Sequence, residues 1–333
     1  MAVTVRAAGS MRPDPELLTE VLPTDRLGPS GRPVGALREE LYRIPDLRNW
    51  LHVAGLWVQS IGVIALASWW GHPVGWVVAF LLMGRSFARF SILAHEAAHR
   101  LLFSNRTLND RVGAWLVAYP AFVPLEAYRR GHMAHHKEEF GPNEPDLMLY
   151  AGYPITRASW RRKLRRDATG NSGWKNLKGL LFALRSERAR PVALKILGWQ
   201  VVLFAGMWLA FDWWVYPVMW LLPWMTVWRV LNRLRAVAEH GGLEASSDRR
   251  VTTHHVRQSV TARFWMVPFN TGWHLAHHVD IGVPFSRLPR LQEELERSGY
   301  VQPGLEWPTY RSLWRHAASR DSAAGDRGRI SPA

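Results

Sequence analysis

Residues 51–70 read LHVAGLWVQSIGVIALASWW, an uninterrupted run without Asp, Glu, Lys or Arg. A helix needs about 20 apolar residues to cross roughly 30 Å of bilayer hydrocarbon, so the stretch predicts a membrane span. GHPVG at 71–75 then turns the chain, and 74–93 return as a second span. Its Arg85 and Arg89 lie toward the far end, where long cationic side chains snorkel or face protein. A second pair is expected over 192–211 and 213–231, broken by the turn FDWW, with Pro217 and Pro223 kinking the last segment. The expected fold is all-α and integral to the membrane: four transmembrane helices in two hairpins beneath a cytoplasmic helical cap.

Charge orients the hairpins. Neither tip, near His72 or near Asp212, carries Lys or Arg, whereas residues 1–50 contain Arg6, Arg12, Arg26, Arg32, Arg38, Arg43 and Arg48. Positive-inside bias places both termini, 95–190 and everything after 231 on the cytoplasmic side of the cytoplasmic membrane. GAWLVAYPAFVPL (113–125) is apolar but interrupted by Pro120 and Pro124, which suits an interfacial or re-entrant segment. Residues 1–36, rich in Pro, Gly and Arg and without a signal-type apolar run, read as a disordered tail, as do 317–333; the membrane domain spans 37–316.

Composition narrows the chemistry. Hydrophobic residues make up 48% of the chain and Trp contributes 19, a residue that gathers at bilayer interfaces. A soluble helical core would share that composition, but the charge-free tips argue for spans. The net charge of +15 suits nucleic acid, an anionic membrane surface or an acidic substrate carrier. No helix-turn-helix, zinc-finger or RNP motif is present, which excludes nucleic acid as the expected partner. With no Cys there are no disulfides, thiolate zinc sites or iron–sulfur clusters, so any metal must take nitrogen and oxygen ligands.

The histidines supply them. Three boxes, His95-x-x-x-His99, His132-x-x-His135-His136 and His274-x-x-His277-His278, use helical spacings that aim several rings at one point, and His240 stands alone between the last two. His52, His72 and His316 are isolated and read as structural or solvated; His254 and His255 lie near the cluster without its spacing. AHEAAHR (94–100) by itself fits the HExxH of zinc proteases, with Glu96 as base. That reading uses few of the clustered rings, since a catalytic zinc takes three protein ligands plus water. The ferritin-like di-iron pattern also fails, because among these histidines only His99 has a Glu three positions earlier. Nine imidazoles instead fill two adjacent metals, and imidazole suits iron, copper or zinc.

In context, AHEAAHRLLFSNRTLNDRVG, VPLEAYRRGHMAHHKEEFGPNEPD, RLRAVAEHGG and WHLAHHVDIGVPFSRLP resemble the histidine boxes, separate histidine segment and trailing motifs of the membrane fatty acid desaturase superfamily, over about 45–305. Val279-Asp280 and Ala236 depart from patterns of some relatives. The resemblance implies two non-haem iron ions held by His95, His99, His132, His135, His136, His240, His274, His277 and His278, with O2 as co-substrate. It implies introduction of a C=C bond into an acyl chain carried by lipid, acyl-CoA or acyl-ACP. A hydroxylase or ketolase on the same centre is the close variant; an intramembrane zinc metalloprotease and a metal-transport protein are remote ones. Carboxylates near the boxes, Glu96, Glu139, Glu144, Asp146, Glu239 and Asp280, are candidates to accept ring N–H groups behind the metals. The chain has no haem or flavin motif of its own, so the electron donor is external, of ferredoxin or cytochrome type.

Overall fold

The computed structural model describes residues 9–321. After the short helix α1 (Gly35–Leu41), α2 runs from Asp46 to Trp70 and α3 from Pro73 to Ala98. Their 25 and 26 residues correspond to about 37–39 Å at the helical rise, ample for a bilayer. The turn between them is local chemistry. Gly71 closes α2 in the left-handed conformation at φ 66°, Nδ1 of His72 accepts the Val74 amide, and Pro73 occupies the first turn, where its missing N–H costs nothing.

α3 is the central element: 56% of its apolar window is buried, against 28% for each of the other two long apolar helices. After α4 (Arg106–Val112) the chain forms a π-helical stretch, Gly113–Ala118, and a 3-10 turn, Tyr119–Ala121. Gly113 packs on Ala97 with no space for a methyl. This irregular backbone is satisfied by side chains: Trp57 Nε1 donates to Leu116 O at 2.9 Å, Gln200 Nε2 to Tyr119 O at 2.9 Å and Trp220 Nε1 to Pro120 O at 3.1 Å. Non-helical backbone in an apolar setting needs such protein donors.

The cap helices α5 (Leu125–Lys137), α6 (Leu147–Tyr150), α7 (Arg157–Ala168) and α8 (Asn171–Ala183) precede α9 (Arg190–Ala210), the third long apolar helix. The sequence-based expectation of four spans in two hairpins is corrected here. Among the described residues three helices are long and apolar enough to cross a membrane, and 213–231 does not form a fourth. That segment divides into a π-helical stretch, Pro217–Leu221, a one-turn α10 (Leu222–Met225) and α11 (Val227–His240). Pro217 and Pro223 remove amide donors, and Thr226 (φ −119°, ψ −82°) interrupts the helix, so hydropathy alone overstated its continuity. Trp220 and Trp224 are buried in protein, and Gly84 of α3 leaves no room for a side chain against Val227, which brings α11 onto α3.

After α11 come α12 (Arg249–Thr252), α13 (Val260–Trp265), α14 (His274–Val279), α15 (Leu288–Arg297) and α16 (Tyr310–Ala317), with a two-residue parallel pairing of β1 (His255–Val256) and β2 (Glu306–Trp307). Of the expected terminal tails, 1–8 and 322–333 lie outside the described residues. Residues 10–34 lie across the cap: Met11 and Leu27 are fully buried, Arg26 Nε donates to Glu294 at 3.2 Å and Arg250 Nη1 to Thr19 O at 3.0 Å. Pro, Gly and Arg content suggests a disordered tail over 1–36; buried Met11 and Leu27 and main-chain carbonyls such as that of Thr19 tie residues 10–34 to the cap.

Candidate metal centre

Four helix ends bring the boxes together. His95 is in the last turn of α3 and His99 just beyond it; His132, His135 and His136 share a face of α5; His240 ends α11; His274, His277 and His278 form α14. Arg129 of α5 locks the first pair of helices, donating to the terminal α3 carbonyls of Ala98 and Ala97 at 2.9 Å each. His95, His99, His132, His136 and His277 place ligand atoms within 4.8 Å of one another, as do His135, His136 and His278, and His240, His274 and His278. His136 and His278 belong to two groups each, so the three groups form one continuous cluster.

Ring-nitrogen bonding decides what the cluster can hold. Nδ1 of His278 donates to Glu139 Oε1 at 2.5 Å, and Nδ1 of His240 to Thr252 O at 2.8 Å. Nδ1 of His274 faces Glu239 Oε1 at 3.4 Å. The acceptors at His278 and His240 fix the ring proton on Nδ1 and leave Nε2 bare. Yet Nε2 of His274 is 3.0 Å from Nε2 of both His240 and His278. Two bare lone pairs and a third ring nitrogen crowd one space, which a cation resolves. The same crowding recurs among His99, His132, His136 and His277, whose Nε2 atoms lie 2.9, 3.0 and 3.2 Å apart in sequence of contact. Neither nitrogen of buried His95 has a hydrogen-bond partner among the described residues. A nitrogen donor set of this kind fits divalent transition metals.

Burial first, then the neighbouring rings, holds His132, His136, His274, His277 and His278 far below the ordinary histidine pKa, which keeps them in the neutral, ligating form. His99 is pushed down to about 3 by the same burial. At His135 burial works in the lowering direction, but the hydrogen bond and charge of Glu144, 2.9 Å from Nδ1, outweigh it and raise the pKa.

The candidate carboxylates divide. Glu139, Glu144 and Glu239 each face an imidazole nitrogen. Glu96 instead accepts the Phe285 amide at 3.0 Å, Asp280 accepts the Tyr42 hydroxyl at 2.7 Å, and no histidine partner is seen for Asp146 among the described residues. Residues that sequence reasoning passed over hold the carboxylates in turn: Arg235 donates to Glu239 at 2.6 Å and Arg249 to Glu139. Arg235 could have been found as the i−4 partner of Glu239 on a helix; Arg249 has no local signal. Tyr128, also missed, stacks on His132 with centroids 5.4 Å apart. His254 bonds Gly241 O at 2.9 Å and His255 faces Glu306 at 3.5 Å, both apart from the cluster.

Along α3, one turn before His95, lies a cavity of about 770 Å³, walled by Phe87, Ser91, Trp224 and Trp228 and rimmed by cationic side chains. No cluster histidine lines it. Phe87, Ser91 and His95 nonetheless recur every fourth residue on α3, so one helix face leads from the cavity wall to the metal-ligand atoms, about 6 Å of axial rise beyond Ser91.

A family model described as "Fatty acid desaturase" matches residues 67–314. Among similar curated proteins are a dihydrorhizobitoxine desaturase of Bradyrhizobium elkanii, 26% identical over 72% of each chain, and an sn-1 oleoyl-lipid 12-desaturase of Arthrospira platensis, 23% identical over 76% of this chain and 78% of the relative. An sn-1 acyl-lipid omega-3 desaturase (ferredoxin) of a Synechocystis strain is 27% identical over 34% of this chain and 32% of its own.

Proposed function

We propose a specific reaction on one premise: this chain belongs to the fatty acid desaturase family. It is a membrane-embedded, desaturase-like oxidoreductase whose histidine clusters suit a catalytic di-iron centre. On our reading it introduces a C=C bond into the acyl chain of a lipid or carrier-bound substrate, with O2 as oxidant. The nine clustered histidines hold two irons, Glu139, Glu144 and Glu239 orient rings behind them, and an external ferredoxin or cytochrome supplies electrons. The cluster then faces the cytoplasm, in line with the basic cap.

One observation carries the reading: the Nε2 atoms of His240, His274 and His278 converge at 3.0 Å while oxygens on the far side occupy the Nδ1 protons of His240 and His278. A di-iron centre at this place supplies the O2-dependent oxidising power needed to remove hydrogen from an unactivated C–H bond. The chain's own residues do the rest. Thr252, Glu139 and Glu144 set ring tautomers, the buried α3 and α14 exclude water, and the cavity beside α3 accommodates an apolar tail. The HExxH protease reading loses its base, because Glu96 is bound to the Phe285 amide and turned from the cluster.

The test is expression of the full chain in a bacterial host with a matching reductant, followed by lipid mass spectrometry and metal analysis. The expected product is two hydrogens lighter than its precursor, from protein holding about two irons per chain. A product heavier by one oxygen assigns hydroxylation instead, and purified protein that binds only zinc ends the di-iron reading.

A further inference from the structure

The cavity beside α3 has a rim that its apolar wall does not explain. Arg130, Lys175, Arg188 and Arg229 all line it. None of the four has an ion-pair or hydrogen-bond partner among the described residues, and the buried Nε of Arg229 is left without an acceptor. The guanidinium of Arg229 is held over the Trp224 ring, 4.2 Å from its centroid, so its direction is fixed before any ligand arrives. Nearby carboxylates are committed elsewhere. Asp167 is bound by Arg233, and Glu126, the acidic residue of the lining, by Arg129 at 2.5 Å. The cavity opens beside α8, which exposes Trp174, Leu181 and Phe182, the side-chain pattern of a helix lying in the bilayer interface.

A guanidinium held on an aromatic ring with its Nε buried, flanked by three further cations above an apolar wall and beside an interface-type helix, fits a phosphate ester joined to acyl chains. We propose that this cavity binds the phosphate of a membrane phospholipid, with Arg229 as the central contact and Arg130, Lys175 and Arg188 around it, and directs an acyl chain along the Phe87–Ser91 face of α3 toward His95. Arginine matches phosphate geometry through its planar fork of donors. The inference deepens the acyl-desaturase reading and rests on it only for the fate of the tail; the headgroup site stands on the cavity itself.

The test is a binding measurement on the iron-loaded full chain in detergent, read by calorimetry, with dihexanoyl phosphatidylglycerol, the neutral dihexanoylglycerol and inorganic phosphate as probes. The phosphatidylglycerol binds, Arg229→Gln weakens it about tenfold or more, and Arg229→Lys weakens it less. The neutral diglyceride binds more weakly and is indifferent to these changes. Iron content and thermal midpoint check that each variant is folded. Should Arg229→Gln not fold, the exposed rim pair Arg130→Gln/Arg188→Gln decides, with a severalfold loss expected. Equal binding by the neutral diglyceride, equal binding by inorganic phosphate alone, or unchanged affinity in the folded variants overturns the proposal. No arm measures turnover, so failure here is distinguishable from failure of the desaturase assignment, which product and iron analysis decide.

Discussion

At one end of the cluster His240, His274 and His278 each present Nδ1 to a protein oxygen, whereas at the other His95 has neither nitrogen bonded and His136 leaves Nδ1 unpartnered. The first end is oriented by hydrogen bonds to the His240 and His278 rings and by the Glu239 carboxylate facing His274. The second is oriented by backbone, through α3 packed on Gly113 and Arg129 bound to the last α3 carbonyls. Ring-tied ligands keep their geometry when the metal leaves; backbone-held rings keep their position but are free to rotate.

The comparison breaks most visibly at a ring shared between groups. His278→Ala removes a ligand common to two of them, and iron content with product formation should fall to background in metal analysis and turnover. Glu139→Gln keeps the shape but weakens the acceptor that fixes His278; iron affinity measured by chelator competition should drop about 10–100-fold. Arg129→Gln strikes the other end. Leaving the Ala97 and Ala98 carbonyls less satisfied should lower stability by about 1–3 kcal/mol, seen as a lower thermal midpoint, with a smaller change in iron affinity than Glu139→Gln produces.

A pH series sharpens the same contrast in metal-free protein. Well above pH 6.5 His132, His136, His274, His277 and His278, whose pKa values are depressed, are neutral both folded and unfolded and add no pH dependence, while His135, raised by Glu144, acts in the opposite sense. Below that pH the unfolded chain takes up protons that the five depressed rings refuse; stability therefore falls as pH drops from 7 toward 5, and bound metal should suppress the loss. Denaturant midpoints at each pH check the sign. The smallest effect is expected from His254→Gln, which disturbs the bonds to Gly241 and Trp307 while leaving iron content unchanged by metal analysis.

Much of this architecture is legible in sequence, and the failures have physical causes. Long uncharged runs identify α2, α3 and α9, because crossing hydrocarbon imposes length and polarity together. Residues 213–231 mislead since their apolar side chains meet protein rather than a continuous helical lipid face, and two prolines divide the backbone. Histidine spacing marks faces that the structure brings together, as i, i+3 and i+4 positions must point alike on a helix. Proximity in sequence is a poorer guide to the carboxylates. Glu96 adjoins His95 and so points about 100° around the same helix, to Phe285, whereas Glu139 reaches His278 across the cap.

The N-terminal strap has a consequence for how the molecule matures. Arg26 bonds Glu294 across 268 positions, and His316 bonds Ser10 O across 306. Residues 10–34 are translated long before their docking partners, and α14, with three of the imidazoles, follows α2, α3 and α9 in chain order. Completion of the cluster thus waits until the long apolar helices have been made, and a nascent chain stalled before α14 would hold an unfinished nitrogen cage.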